Sequence, residues 1–176
     1  RSVASRMTGK FITLEGIEGV GKSTNLAFVA DYLSERGKRV LTTREPGGTP
    51  LGERLRELLL DSERGSVPDT AELLMMFAAR AAHIEKVIRP ALAEGIWVVC
   101  DRFTDATYAY QGGGRGIDDE PIDRLKSLVQ GDFAPNLTIL LDATVEVSEA
   151  RRVERAHRDR FESEEIEFFR RVRAKY

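Results

Sequence analysis

The chain has 176 residues, with 27 Lys plus Arg against 29 Asp plus Glu and a formal charge of −2. That is room for one domain with its own core, without the basic excess that draws a protein to nucleic acid or an anionic membrane. No apolar run nears the roughly 18 residues of a membrane span, and the single cysteine, Cys100, cannot close an internal disulfide, so small-molecule partners and a cytoplasmic setting are expected.

Arg1-Ser-Val-Ala-Ser-Arg6 lacks the apolar centre of a secretion signal, and Met7 reads as the natural start. Residues 1–6 are expected to be a foreign remnant and residues 7–176 a single domain. Lys10-Phe-Ile-Thr-Leu-Glu15 is a first strand, and Leu26, Val29 and Leu33 form the stripe of a first helix that Gly37 closes. Arg39 to Thr43 is a second strand, and Leu51 to Leu60 a helix with Leu55, Leu58 and Leu59 on one side. Ala71 to Leu92 is a longer helical region interrupted at Pro90. Ile96 to Cys100 is a third, apolar strand, Ile122, Leu125, Leu128 and Val129 mark another helix, and Leu137 to Leu141 is a fourth strand. Beyond Asp142 the charged chain reads as helix to its end. Apolar runs alternating with amphipathic stretches predict an α/β fold, a parallel sheet wrapped by helices.

Between the first strand and first helix lies a complete Gly-x-x-x-x-Gly-Lys-Ser phosphate loop: Gly16, Ile17, Glu18, Gly19, Val20, Gly21, Lys22 and Ser23, followed by Thr24. Its glycines let successive N–H groups and a helix N-terminus converge on one anion. Lys22 would reach the outer phosphates of ATP, and the Ser23 hydroxyl would ligate Mg²⁺. Asp101, ending the third strand, suits a carboxylate beside those phosphates and their metal, with a capping or ion-paired Asp as the plainer alternative. The adjacent Arg102 offers a planar fork for a second phosphate.

Thr43-Arg-Glu-Pro-Gly-Gly-Thr49 ends the second strand on the same sheet edge, either lining the site or making an ordinary turn. In Met75-Met-Phe-Ala-Ala-Arg80, Phe77 and the methionines suit a core, while Arg80 one turn on suits a planar ring with an exocyclic oxygen. The glycines of Asp101 to Gly116 favour a loop that folds around something. Residues 151–160 hold five arginines, either a solvated helix face laced to Glu162, Glu164, Glu165 and Glu167 or a mobile lid closing over phosphates. His157 is expected to be an exposed lid residue and His83 a helix-surface one, neither at metal-ligand spacing.

Together, the phosphate loop with Glu18 at its third position, Thr43-Arg-Glu-Pro-Gly-Gly-Thr49, Phe77-Ala-Ala-Arg80, Asp101-Arg-Phe103 and Ala109-Tyr-Gln-Gly-Gly-Gly-Arg-Gly116 resemble the bacterial thymidylate kinases, from about Lys10 to Tyr176. The resemblance implies a homodimeric three-layer P-loop NTPase fold, with five parallel strands in the family and four readable here. It implies phosphorylation of dTMP to dTDP by ATP with Mg²⁺, on the way to dTTP. The alternative is a kinase for another nucleoside monophosphate, whereas a GTPase switch would need Asp-x-x-Gly and Asn-Lys-x-Asp elements, which do not occur.

By the same resemblance, residues Gly16 to Thr24 would hold the ATP phosphates, with Glu18 turned toward the acceptor's sugar. Arg44, Arg56 and Arg102 would surround the dTMP phosphate. Arg80 would bond the thymine ring, Thr107 and Gln111 would read other base edges, and Tyr110 would crowd the ribose 2′ position. Stacking on the base would fall to Met76, where relatives often have Phe, or to Phe77. Asp101 and Ser23 would hold Mg²⁺. Members with Gly at position 19 take their phosphoryl-stabilising arginine from a lid, here about residues 150–161, with Arg155 as the best match and Arg151 as accessory. The family usually continues past the position of Tyr176 through a fifth strand and a last helix, and that segment is expected to be absent here. Dimer contacts are expected on the helices around 78–92 and 122–129.

Overall fold

The computed structural model describes residues 9–61, 67–153, 160–162 and 164–176. Four parallel strands stand in the order β2-β3-β1-β4: β1 (Phe11–Glu15), β2 (Val40–Arg44), β3 (Trp97–Asp101) and β4 (Leu137–Leu140). A parallel sheet needs both faces covered, and β1 is buried along its whole length. Its side chains alternate between layers. Phe11 packs with Ile84, Ile88, Val98 and Phe103 on one face, while Ile12 and Leu14 pack with Leu33 and Val99 on the other.

Helix α1 (Lys22–Glu35) leaves the phosphate loop and ends at Arg36, with Gly37 at φ 73°. Helices α2 (Pro50–Leu60) and α3 (Asp69–His83) follow, then a π-helical segment, Ile84–Ile88, and α4 (Arg89–Ala93). Helical structure is therefore not interrupted at Pro90. Pro90 sits in the first turn of α4, and the wide π turn before it, in which Arg89 N–H bonds Ile84 C=O, absorbs the donor it lacks and the space its ring takes. Leu59 is buried as the α2 stripe predicts, but Leu58 is 42 % exposed.

After β3 come α5 (Thr104–Thr107), a second π-helical segment, Tyr108–Gly114, and α6 (Asp119–Gln130). The glycine-rich stretch is thus largely helical rather than a loop, and its Tyr110 and Gln111 border the main cleft. A side chain at Gly113 would come within 2.6 Å of Lys175 Cβ, and one at Gly114 within 2.5 Å of Phe168, so these glycines let a later helix lie close. That helix is α8 (Ile166–Lys175), and α7 (Val145–Val153) follows β4. The chain beyond Asp142 is therefore not one helix: a turn at residues 160–162 and an extended Glu165 separate α7 from α8. The turn carries Phe161 into an apolar cluster with Tyr110, Phe168, Phe169 and Val172.

The carboxyl ends of β1 and β3 lie side by side, Leu14 opposite Asp101, with β2 beyond β3 and β4 beyond β1. Connections leave in opposite directions there, opening the crevice where such sheets bind ligands.

Candidate active site

The phosphate loop leaves β1 as the motif requires. Gly21, at φ 96°, caps α1, and Lys22 turns back to donate to Gly16 C=O (3.0 Å) and Ile17 C=O (2.9 Å). Burial, with repulsion from Arg102, lowers the Lys22 ammonium to about 8. Gly19 answers two constraints: its φ is 80°, and a Cβ there would stand 2.6 Å from Ser148 C=O, so α7 rests directly on the loop. Arg151 Nη1 donates to Gly19 C=O (3.1 Å), bringing the start of the arginine run to the loop. Arg155 and His157 lie outside the described residues, and Gly16, Ile17 and Val20 contribute backbone or packing rather than bordering the main cleft.

At the end of β3, Arg102 is the one described non-glycine residue with positive φ, 71°. This turn carries its guanidinium to Gly16 C=O (2.8 Å), Glu18 Oε1 (2.7 Å), and the Tyr110 and Tyr176 hydroxyls (3.2 Å each). The Tyr110 hydroxyl also donates to Glu18 Oε2. Burial opposes the Glu18 charge, but Arg102 and Lys22 outweigh it and hold the carboxyl below its ordinary value. Behind them Glu15 accepts from Phe103 N–H (2.7 Å) and the Tyr176 hydroxyl (3.1 Å), and burial, opposed by Arg102, pushes it up to about 7.

Asp101 Oδ1 is buried without a partner and borders the same cleft as Ser23. A carboxylate oxygen left bare among cations fits a hard divalent ion. Mg²⁺ suits such a site, because it is commonly held by one or two protein oxygens together with phosphates and water.

The cleft continues toward β2 and α2. Arg44 is half exposed and paired with Glu53 (2.8 Å), while Arg56 Nη1 donates to Pro46 C=O (3.1 Å). The 43–49 cluster is both turn and lining: Thr49 caps α2 by accepting from Gly52 N–H (2.9 Å), and Arg44, Glu45 and Pro46 border the cleft. Arg80 is buried, with Nε on Glu45 Oε2 (2.7 Å), Nη2 on Phe103 C=O (3.1 Å) and Nη1 without a partner. Met76 borders the cleft. Phe77 does not: it packs with Leu73 and Ile122, because adjacent positions on α3 point about 100° apart, and its ring lies 4.9 Å from the Arg80 guanidinium. Thr107, Tyr110 and Gln111, all nearly buried, line the remaining wall.

His83 is fully buried, not on the helix surface. Its Nδ1 donates to Glu45 Oε1 (2.9 Å) and its Nε2 faces Thr43 Oγ1 (2.7 Å), making it the support behind the Glu45–Arg80 pair. Sequence reasoning gave no site role to Glu72, Phe161 or Tyr176, and it named Glu45 only within the 43–49 cluster and Glu162 only as a partner of the arginine run. Only Glu72 carried a signal, an acid one turn before Met76 and next to Leu73 in an otherwise apolar stripe. Arg160, at the other end of the arginine run, bonds Leu59 C=O (2.8 Å) and Glu72 rather than solvent.

The chain is similar to known proteins along nearly its whole length. The family described as thymidylate kinase matches residues 14–176. The thymidylate kinase of Teredinibacter turnerae is 59 % identical over 170 residues, 97 % of this chain and 83 % of that protein. That of Chromohalobacter salexigens is 63 % identical over 171 residues, 96 % of this chain and 80 % of that one. The crystal structure of thymidylate kinase from Ehrlichia chaffeensis superposes with a TM-score of 0.78 at 39 % identity, covering 96 % of this chain and 84 % of that chain.

Proposed function

Since this chain belongs to the thymidylate kinase family, we propose a division of labour among its residues for that family's reaction. The reaction is transfer of the γ-phosphate of ATP to dTMP, giving dTDP and ADP. The loop from Gly16 to Thr24 cradles the ATP phosphates, and Lys22 exchanges its two carbonyl partners for phosphate oxygens. Ser23 and Asp101 hold Mg²⁺, which when bound neutralises charge on the donor phosphates. Arg44, Arg56 and Arg102 receive the dTMP phosphate. The acceptor oxygen is already ionised near neutral pH, so no protein base is needed, and the work is positioning and charge stabilisation.

Arg80 donates to the base through Nη1, Met76 packs on its face, and Thr107 and Gln111 meet its edge. Phe77 supports Arg80 from below instead of stacking on the ligand. Tyr110, held by Glu18 and Arg102, fills the space a 2′-hydroxyl would need. From the arginine run, Arg151 and Arg155 supply charge to the transferring phosphoryl group, replacing a side chain that Gly19 does not have.

The observation that carries this reading is Arg102, whose guanidinium joins the donor loop at Gly16 to the acceptor wall at Tyr110. A homodimer through α3 and α6 is part of the proposal, supported by the exposure of Leu74 and Leu128, 51 % and 81 %. So is a cytoplasmic setting; no helix among the described residues is long and apolar enough to cross a membrane. ADP release from MgATP, measured with dTMP, dUMP, UMP, CMP, AMP and GMP as acceptors, tests the reading. Strong stimulation by dTMP is expected, and preference for a ribonucleotide would overturn the roles given to Tyr110 and Arg80.

A further inference from the structure

Gln111 borders the cleft yet is only 1 % exposed, and what lies behind it sets what it shows to a ligand. Its Nε2 donates to Glu72 Oε1 at 2.7 Å. Glu72 lies on α3, fully buried, and also accepts from Arg115 Nε, 3.3 Å from each oxygen, and from Arg160 Nη2. Guanidinium groups only donate, so both Glu72 oxygens serve as acceptors. An amide facing such a carboxylate must offer its NH₂, whichever way the amide is drawn. Its carbonyl oxygen is thereby left for the cleft, and no described residue donates to it.

The same cleft contains the opposite group. Arg80 Nη1 is buried and lacks a partner, while the other guanidinium nitrogens are tied to Glu45 and Phe103 C=O. The wall therefore shows one fixed donor and one fixed acceptor. Neither can reverse, because each is held from behind by a buried carboxylate, Glu45 for Arg80 and Glu72 for Gln111.

We propose that Glu72 is a specificity-determining positioning residue: by taking the Gln111 amide NH₂, it makes the cleft present Gln111 Oε1 as an acceptor alongside the Arg80 donor, a pattern that selects a base edge with C=O next to N–H. This deepens the reading of the cleft as the acceptor-base site and rests on it. Thymine has that edge, its carbonyl facing the guanidinium and its ring N–H facing Gln111. Cytosine has the inverse, an amino group toward the cation and a lone pair toward Gln111 Oε1. An unrestrained glutamine would rotate its amide to suit either base. With Glu72 behind it, rotation would set two acceptors against each other in a buried place.

The Glu72 carboxylate also ties Gln111 to Arg160, whose N–H bonds Leu60 C=O and whose neighbour Phe161 borders the cleft. A purely structural role for Glu72 would therefore slow every acceptor alike. The proposal instead predicts a change in the ratio between bases.

The test is steady-state kinetics of the full chain with MgATP and either dTMP or dCMP, before and after Glu72→Gln. The new amide can donate to Gln111 Oε1, which frees Gln111 to turn its own NH₂ into the cleft. The preference for dTMP over dCMP in kcat/KM is expected to fall by about tenfold or more, carried by opposite movements of the two KM values. An unchanged ratio with both acceptors slowed together overturns the proposal.

Should Glu72→Gln fail to fold, nuclear magnetic resonance of the unaltered protein decides, with the Gln111 side-chain NH₂ signal assigned by its loss in Gln111→Leu. Protection from solvent exchange before dTMP is added, and little shift afterwards, is expected. A freely exchanging NH₂ that moves on dTMP addition means the amide faces the other way and the proposal is wrong. Absence of any dTMP preference in the unaltered protein would instead remove the base-site reading, and this inference with it.

Discussion

Arg102 Nη2 and Glu18 Oε1 stand 2.7 Å apart, and the Tyr110 hydroxyl contacts both side chains. Glu18 belongs to the loop after β1 and Arg102 to the end of β3, so their contact marks where the proposed donor and acceptor halves of the cleft meet. Both side chains are mostly shielded, at 15 % and 16 % exposure, so the pair is screened less than a surface ion pair. It forms because Arg102 has a left-handed backbone, which turns the side chain back over the end of β1.

Arg102→Lys keeps the charge but loses the fork that reaches Gly16, Glu18 and both tyrosines. A point charge on a flexible stem cannot replace it. We expect kcat/KM for dTMP to fall by about a hundredfold or more, with circular dichroism unchanged. Near-normal kinetics would show that charge alone suffices there.

Gly19→Ala places a Cβ 2.6 Å from Ser148 C=O at a residue with φ 80°. The left-handed strain alone costs roughly 1–2 kcal/mol, and α7 has to move off the loop. We expect a lower thermal midpoint together with a raised KM for ATP. A loss of stability with unchanged ATP kinetics would mean that the contact between α7 and the loop has no part in donor binding.

Arg155→Ala is expected to reduce kcat by about a hundredfold or more while KM for dTMP moves only a few-fold, because a group engaging the transferring phosphoryl acts mainly in the transition state. Arg151→Ala, which removes the bond to Gly19 C=O, should have a smaller effect on kcat. The two variants measured side by side rank the arginines, and an unchanged kcat for Arg155→Ala rejects its role.

Glu15 is raised from its ordinary 4.5 to about 7 because burial disfavours its charge, against the pull of Arg102. The folded chain therefore keeps this proton over a range in which the unfolded chain has released it. Its contribution to stability is fully present below about 4.5 and declines as the pH rises to about 7. The whole effect is on the order of 3 kcal/mol. Glu15→Gln, neutral at every pH, should lose less stability between pH values of about 5 and 8 than the unaltered chain in urea titrations. Parallel pH profiles would show that Glu15 is not the group responsible.

The donor half of the site was legible because it is local. Gly16 to Ser23 is one unbroken stretch whose glycine spacing dictates the backbone path, and Asp101 ends an apolar run that has to be a buried strand. The two inner strands, β1 and β3, were legible for a similar reason, since strands buried on both faces leave continuous apolar runs. Pro90 and the glycines after Gln111 misled the reading. A helix can pass a proline by widening one turn, and close helix packing asks for glycine as strongly as a ligand does.

Residue type and spacing thus determined which nucleotide chemistry this protein performs, and family resemblance pointed to the acceptor. Tertiary structure alone decided which polar groups hold one another. His83 lies behind Glu45, Met76 rather than Phe77 meets the cleft, and Glu72 gathers Gln111, Arg115 and Arg160, partners 39, 43 and 88 residues away. Periodicity along a helix tells which face is buried, because burial follows from side-chain polarity averaged over a turn. It does not tell which donor meets which acceptor inside that face, because the match depends on angles and distances between elements that exist only after they have packed.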